Sequence, residues 1–205
     1  MARTALTSAE TVGAIVLAAG RSTRMGQPNK LLVDLCGAPV ITRTVDALIA
    51  AGLPPPLVIV GHMASSVRAA LDGRLVQFAD VPDYADGMSR TLIAGLAAAP
   101  NHWRAALIVL GDMPTVTAAT LAEIARAADA DNRVVVPTQG GRRGNPVAWG
   151  RAHWPRLGAL TGDRGARTLL DDTNFIEVAT SDGGIHVDVD TSAALAALRR
   201  TYSSS

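Results

Sequence analysis

Val12-Gly-Ala-Ile-Val-Leu-Ala-Ala-Gly-Arg-Ser-Thr-Arg-Met-Gly-Gln-Pro-Asn-Lys30 is the stretch from which the rest of the chain is best read. Its first part, Val12–Leu17, is almost wholly apolar, the pattern of a strand covered on both faces. The strand leads into a turn holding Gly20 and Gly26 and carrying Arg21, Arg24 and Lys30. A glycine-rich turn that leaves such a strand can aim several backbone N–H groups inward as an anion-binding nest. Three cations within ten residues then supply charge for a triphosphate, whose reacting centre needs such clamps. Gly26 is not followed by Gly-Lys-Ser/Thr, and no Gly-x-Gly-x-x-Gly occurs here, so the segment is neither a Walker A loop nor the usual dinucleotide fingerprint. A solvated basic loop would read the same way on this segment alone.

Working outward, short β-rich runs alternate with helical stretches, the signature of a mainly parallel α/β sheet. Strands are expected at Val12–Leu17, Leu57–Val60, Leu75–Phe78, Ala105–Leu110 and Arg133–Pro137. Helices are expected at Val40–Ala51, closed by Gly52, at Ser65–Leu71, at Ser89–Ala99 before Pro100, and at Thr117–Ala128 with Thr117 as N-cap. Beyond residue 137 the rhythm changes. Gln139–Gly144 reads as a turn returning into a strand at Asn145–Trp149. Gly165–Leu170 reads as helix, Phe175–Ala179 and Ile185–Val189 as short strands, and Ser192–Arg200 as a closing helix with Tyr202–Ser205 frayed. The expected organisation is one domain over 1–205, its nucleotide-binding part about 12–137 and an acceptor-side extension about 138–200. Ligands in such sheets bind beyond the carboxyl ends of the strands.

Composition narrows the function classes. The 205 residues are 48% hydrophobic and 18% charged, with net charge +1, so no general attraction to nucleic acid or acidic membranes is expected. Cys36 is the one cysteine, which excludes an internal disulfide and any Cys-x-x-Cys motif. No apolar run has signal-peptide or membrane-spanning character, and the cytoplasm is the expected location. His62, His102, His153 and His186 show no zinc-site spacing.

Three further segments carry chemistry. Leu110-Gly-Asp-Met-Pro114 sets Asp112 at the end of an apolar strand, well placed to hold Mg²⁺ against phosphate oxygens. Asp188-Val-Asp-Thr191 puts Asp188 and Asp190 on one face by alternation, one of them within reach of the same metal, with Thr191 or Ser192 able to cap the last helix. Pro82–Thr91 is a polar loop in which Gly87 permits close backbone approach to a base while Ser89 and Thr91 offer hydroxyls.

Together these pieces resemble the molybdenum cofactor nucleotidyltransferase family, most closely its cytidylyltransferase branch. The resemblance is carried by Leu17-Ala-Ala-Gly, Arg24-Met-Gly, Asn29-Lys-Leu-Leu, Leu110-Gly-Asp-Met-Pro, Gly144-Asn-Pro-Val, Gly162-Asp-Arg-Gly-Ala-Arg and Asp188-Val-Asp-Thr, in the family's order. It implies a Rossmann-like, three-layer nucleotidyltransferase fold with a mainly parallel sheet. It also implies transfer of CMP from CTP to the phosphate of a molybdopterin-type cofactor, with Mg²⁺ and release of pyrophosphate. Under it, Leu17, Ala18, Ala19, Gly20 and Arg21 hold the nucleotide, Arg24 and Lys30 the triphosphate, and Asp112 with Asp190 the metal. Gly87 and Thr91 face the base, and Asn145 and Pro146 the acceptor. Asn145 stands where the family commonly has histidine. Ala19 stands where the guanylyl branch has glycine, which favours CTP over GTP. Implied partners are CTP or GTP, a phosphorylated pterin, and a molybdoenzyme or its maturation chaperone. Rival readings are an NAD(P)H-dependent oxidoreductase on the same scaffold, a non-catalytic cofactor carrier, and transfer to another phosphorylated acceptor.

Overall fold

The computed structural model describes residues 11–21 and 29–202. Strand β1, Val12–Ala18, lies at the centre because nearly every side chain on it is apolar and buried. It pairs in parallel with β2, Leu57–Val60, on one side and with β4, Ala105–Leu110, on the other. β3, Gln77–Asp80, extends the parallel set beyond β2. The sheet is completed by β5 (Val134–Gln139), β6 (Arg142–Arg143), β7 (Val147–Gly150) and β8 (Ile176–Ala179), in the order β3-β2-β1-β4-β7-β5-β6 with β8 on β5. β7 runs antiparallel between β4 and β5. Both of its neighbours therefore point the same way as β1.

Helices cover both faces, as a sheet of doubly buried strands requires. Helices α1 (Val40–Ala50), α2 (Ala64–Ala70) and α4 (Ala118–Ala127) pack through Val45, Leu48, Val67, Leu121 and Ile124 on Val12, Ala14 and Val16. Helices α3 (Met88–Ala98) and α5 (Trp154–Gly158) pack through Leu92, Trp154 and Leu157 on Ile15, Ile59 and Ile108. Alternate residues of β1 thus feed opposite layers. Gly95 lets α3 lie close on β1, since a Cβ there would stand 2.4 Å from Ile15. The C-terminal helix α6, Ser192–Tyr202, forms a third cluster in which Leu195 and Leu198 cover Leu35, Val40 and Val189.

This is the Rossmann-like three-layer architecture expected from the sequence, with three corrections. β3 starts two residues later than Leu75, because its ladder begins where Gln77 meets Leu57, and Leu75 is left exposed. The Gly140-Gly141 turn folds the short β6 back on β5, and the chain continues along the same edge of β5 as β7, the returning strand expected at Asn145–Trp149, with β8 on the opposite edge. Ile185–Val189 is not a strand. The Asp182 side chain accepts from the Gly184 N–H at 2.8 Å and starts a 3-10 turn over Gly183–His186, a local bond that competes with sheet pairing. Tyr202 is not frayed: its hydroxyl donates to the Pro114 carbonyl at 3.2 Å, and the Arg43 guanidinium lies 4.6 Å from its ring centre. Thr117 caps α4 as expected, accepting from the Thr120 N–H at 3.3 Å.

Candidate active site

Because β1 and β4 are neighbours in register, Leu17 beside Leu110, the two segments that leave them emerge side by side. The Gly111 N–H donates to the Leu17 carbonyl at 3.1 Å, and Thr44 Oγ1 on α1 donates to the Gly111 carbonyl at 3.1 Å. Asp112 is thereby fixed at the carboxyl edge of the sheet and is 7% exposed. Lys30 begins a short 3-10 turn, Lys30–Leu32, whose start is held by Asn29 Oδ1 accepting from the Leu31 N–H at 3.1 Å. Asp190 arrives from the far end of the chain. The Val189 N–H donates to the Asp112 carbonyl at 2.9 Å, and the Val189 side chain is wholly buried under α6. The result is a three-residue cluster in which Lys30 Nζ is ion-paired with both Asp112 and Asp190.

The electrostatics of this cluster favour a cation. Burial pushes the Asp112 carboxyl up from its ordinary range; Lys30 pulls it back only in part, and Asp188 and Asp190 add to the rise. Burial pulls the Lys30 ammonium down, but Asp112 and Asp190 outweigh it, and its pKa is raised. Asp112 Oδ1 is buried without a hydrogen-bond partner among the described residues. Two carboxylates that converge on one ammonium, with a further bare oxygen, fit a divalent ion. Among the described residues no group of three His, Cys, Asp or Glu side chains forms a closed metal cage. Two carboxylates with open positions suit Mg²⁺, which keeps waters and takes substrate phosphates as ligands.

The cluster sits at the floor of a cleft of about 600 Å³. Leu17, Ala19, Gly20, Arg21, Lys30, Gly87, Thr91, Asp112 and Asp190 all line it, so most of the residues singled out in the sequence meet in one place. Ala18 does not; its side chain points into the core. Arg24 lies outside the described residues. One wall is the entry to α3. Gly87 has φ 113°, and a Cβ there would fall 2.4 Å from the Gly162 backbone, while the Ser89 N–H donates to the Gly162 carbonyl at 3.0 Å. The wall is therefore a two-loop junction that tolerates no side chain at position 87. Tyr84, Met88 and Asp163 also line the cleft; they belong to the Pro82–Thr91 loop and the Gly162-Asp-Arg-Gly-Ala-Arg segment, but none of the three was singled out.

A second cavity, of about 430 Å³, opens beside the first, and Asp188 lines both. Its wall includes Asn145, Arg142, Arg143, Arg167 and His186. Asn145 is held by its N–H donating to the Ile185 carbonyl at 2.9 Å. Pro146, joined to it by a cis peptide, is buried and lines neither cavity. Burial, then Arg142 and Arg167, push the His186 imidazole below its ordinary pKa. His186 had no partner at motif spacing. The one available signal was parity, since 186, 188 and 190 alternate with Val187 and Val189, which pack under α6.

A mainly parallel α/β sheet with a glycine and an arginine leaving β1, a lysine beside them and a cation-seeking carboxylate after β4 defines a phosphate-handling domain of the nucleotidyltransferase class. Residues 14–178 match the MobA-like NTP transferase domain, and the chain belongs to that family. Among curated relatives, the bifunctional protein GlmU of Sinorhizobium fredii is 35% identical over 141 residues, covering 67% of this chain and 30% of that protein. GlmU of Sorangium cellulosum is 32% identical, with 74% and 33% covered, so the chain spans about a third of the length of these relatives. Among solved structures, a nucleotidyl transferase from Methanothermobacter thermautotrophicus superposes with TM-score 0.83 at 28% identity, covering 95% of this chain and 98% of that one. Rv0371c of Mycobacterium tuberculosis gives TM-score 0.80 at 31% identity, with 93% and 98% covered, and has also been solved as a manganese complex.

Proposed function

We propose that this chain transfers CMP from CTP to the phosphate of a molybdopterin-type acceptor and releases pyrophosphate. The observation that carries the reading is the convergence of Lys30 on Asp112 and Asp190 at the floor of a cleft that Gly20 and Arg21, the residues leaving β1, also line. Such a site can neutralise a triphosphate and orient it. That is most of what nucleotidyl transfer asks of a protein, since these transfers rest on positioning and charge rather than a covalent protein nucleophile.

In this reading an acceptor phosphate oxygen attacks the α-phosphorus in line; a new P–O bond forms as the α–β bridge breaks and its electrons leave on pyrophosphate. Asp112 and Asp190 would hold Mg²⁺, which supplies charge neutralisation at the phosphates when bound. Arg21, Arg24 and Lys30 grip the triphosphate, and Leu17, Ala19 and Gly20 hold the nucleoside with Gly87 and Thr91 facing the base. Ala19 lines the cleft, and its methyl, absent from the guanylyl branch, supports CTP. One methyl in a tight pocket discriminates by about 1–3 kcal/mol. The nucleotide-binding part would be about 12–137, and the acceptor would lie on the 138–200 side near Asn145 and Pro146. The product would pass to a molybdoenzyme or its maturation chaperone in the cytoplasm. No helix among the described residues is long and apolar enough to cross a membrane.

Thermal unfolding with Mg²⁺ plus CTP, GTP, ATP or NADPH tests this. A ligand at 100 times its Kd stabilises by about 2.7 kcal/mol, a rise of roughly 5–10 °C for this size. A Mg²⁺-dependent CTP shift is expected. A GTP shift alone moves the chain to guanylyl transfer, and a shift with NADPH alone overturns nucleotidyl transfer.

A further inference from the structure

The cavity that Asp188 shares with the nucleotide cleft has a charge pattern of its own. Arg142, beside the Gly140-Gly141 turn, Arg143 on β6 and Arg167 in the 3-10 turn Ala166–Asp172 all line it. Arg143 is already engaged, ion-paired with Asp171 at 3.1 Å and stacked 4.6 Å from the Phe175 ring centre. Arg167 donates to the Arg143 carbonyl at 3.3 Å and keeps further N–H donors. Arg142 makes no side-chain hydrogen bond or ion pair among the described residues. Both Arg142 and Arg167 act on His186, whose Nε2 is buried in the wall without a partner among the described residues. Against these, Asp188 is the one carboxylate among the described residues of the lining, and it stands at the end shared with the cleft. Where these arginines line it, the cavity is a positively charged surface with an unmet polar atom in its wall.

We infer that Arg142, Arg167 and His186 form the subsite that holds a phosphate group of the acceptor. Guanidinium groups match phosphate oxygens with paired donors, and three separate groups suit an anion with three free oxygens better than a two-oxygen carboxylate. The position fits as well: the cavity meets the nucleotide cleft at Asp188, so a phosphate held by these residues sits next to the cleft in which its oxygen would attack. The inference rests on the nucleotidyl-transfer reading, but it concerns residues outside the Lys30–Asp112–Asp190 cluster.

The test uses the full chain with Mg²⁺ and α,β-methylene-CTP filling the nucleotide cleft. Phenyl phosphate serves as the phosphate-monoester probe and benzoate as the carboxylate control. Binding is followed by ligand-observed NMR, and nucleotide binding separately by thermal shift. Arg142→Ala is expected to weaken phenyl phosphate several-fold, and Arg142→Ala with Arg167→Ala at least tenfold, with the nucleotide shift unchanged. Arg142→Ala removes no side-chain hydrogen bond or ion pair among the described residues, so its result stands even where the double variant is loosened. Equal binding of phenyl phosphate by wild type and double variant, or none by wild type, overturns the subsite. Benzoate binding as tightly as phenyl phosphate overturns the phosphate assignment. A folded double variant that loses nucleotide and probe together makes the arginines part of the triphosphate grip and also overturns it. If no nucleotide binds any form while probe binding still depends on both arginines, the nucleotidyl-transfer reading fails and the subsite stands.

Discussion

Asp112 is buried, under-neutralised and tied through its own carbonyl to Val189, so its side-chain charge and its structural place separate cleanly. Asp112→Asn keeps the shape and removes the charge. Turnover of the CTP-dependent reaction should fall at least about 100-fold, the scale of losing one preorganised electrostatic contact, with circular dichroism unchanged. Turnover near wild type would remove Asp112 from the chemistry. Asp182 offers the opposite case, a carboxylate with a structural role. Burial pushes its pKa up, but bonds from the Thr117 N–H and from Thr120, Gly184 and the Thr117 hydroxyl outweigh this, and the pKa is lowered. A group whose folded pKa is depressed stabilises the fold above its unfolded pKa of about 3.9. That contribution is lost as pH falls through the lower folded value. Asp182→Asn should therefore cost about 1–2 kcal/mol in urea unfolding at pH 7, with the gap to wild type narrowing as pH falls below that unfolded value. A gap that persists there would mean that the charge is not what matters.

The junction of the α3 entry with the Gly162 loop depends on one residue having no side chain. Gly87→Ala meets both a positive φ and a 2.4 Å collision with backbone, so the loops must part. A stability loss of about 1–3 kcal/mol is expected, with weaker nucleotide binding in the same thermal-shift assay; an unchanged CTP response would place the base elsewhere. Elements of this kind also mark how far the sequence could be read. β1, β2 and β4 were legible because an unbroken apolar run has few other uses; the candidate site residues stood out for different reasons, Asp112 because it follows such a run, Lys30 because it closes the basic segment after β1, and Asp190 because alternation sets it on one face with Asp188. β7 was legible as the strand returning from the glycine turn, but its place between β4 and β5 was not, since its partners on β4 lie more than thirty residues away. Ile185–Val189 looked like a strand by alternation, and one side-chain bond from Asp182 made it a turn. Arg142, Arg167 and His186 were invisible as a group because three separate segments bring them together.

On the scale of the molecule, the candidate site is closed by the two ends of the fold. Arg199 on α6 donates to the Asp34 carbonyl at 2.6 Å, and Leu198 packs in the cluster that includes Leu35 and Val189. Leu198→Ala should cost about 2–4 kcal/mol and, by loosening Val189, also blunt the Mg²⁺-dependent nucleotide shift; loss of stability with a normal shift would show that α6 does not hold the site. The ion pair at the floor has a consequence for the order of events. Lys30 already occupies the ground between Asp112 and Asp190, so an incoming divalent ion is exchanged for an ammonium and not simply added. A triphosphate that draws Lys30 away vacates the seat, and a metal that takes the seat frees Lys30 for the triphosphate. Each ligand should then tighten the other by the same factor, as linkage requires. Mn²⁺ affinity measured with and without α,β-methylene-CTP reads that factor directly, and a factor of one would mean that Lys30 never leaves.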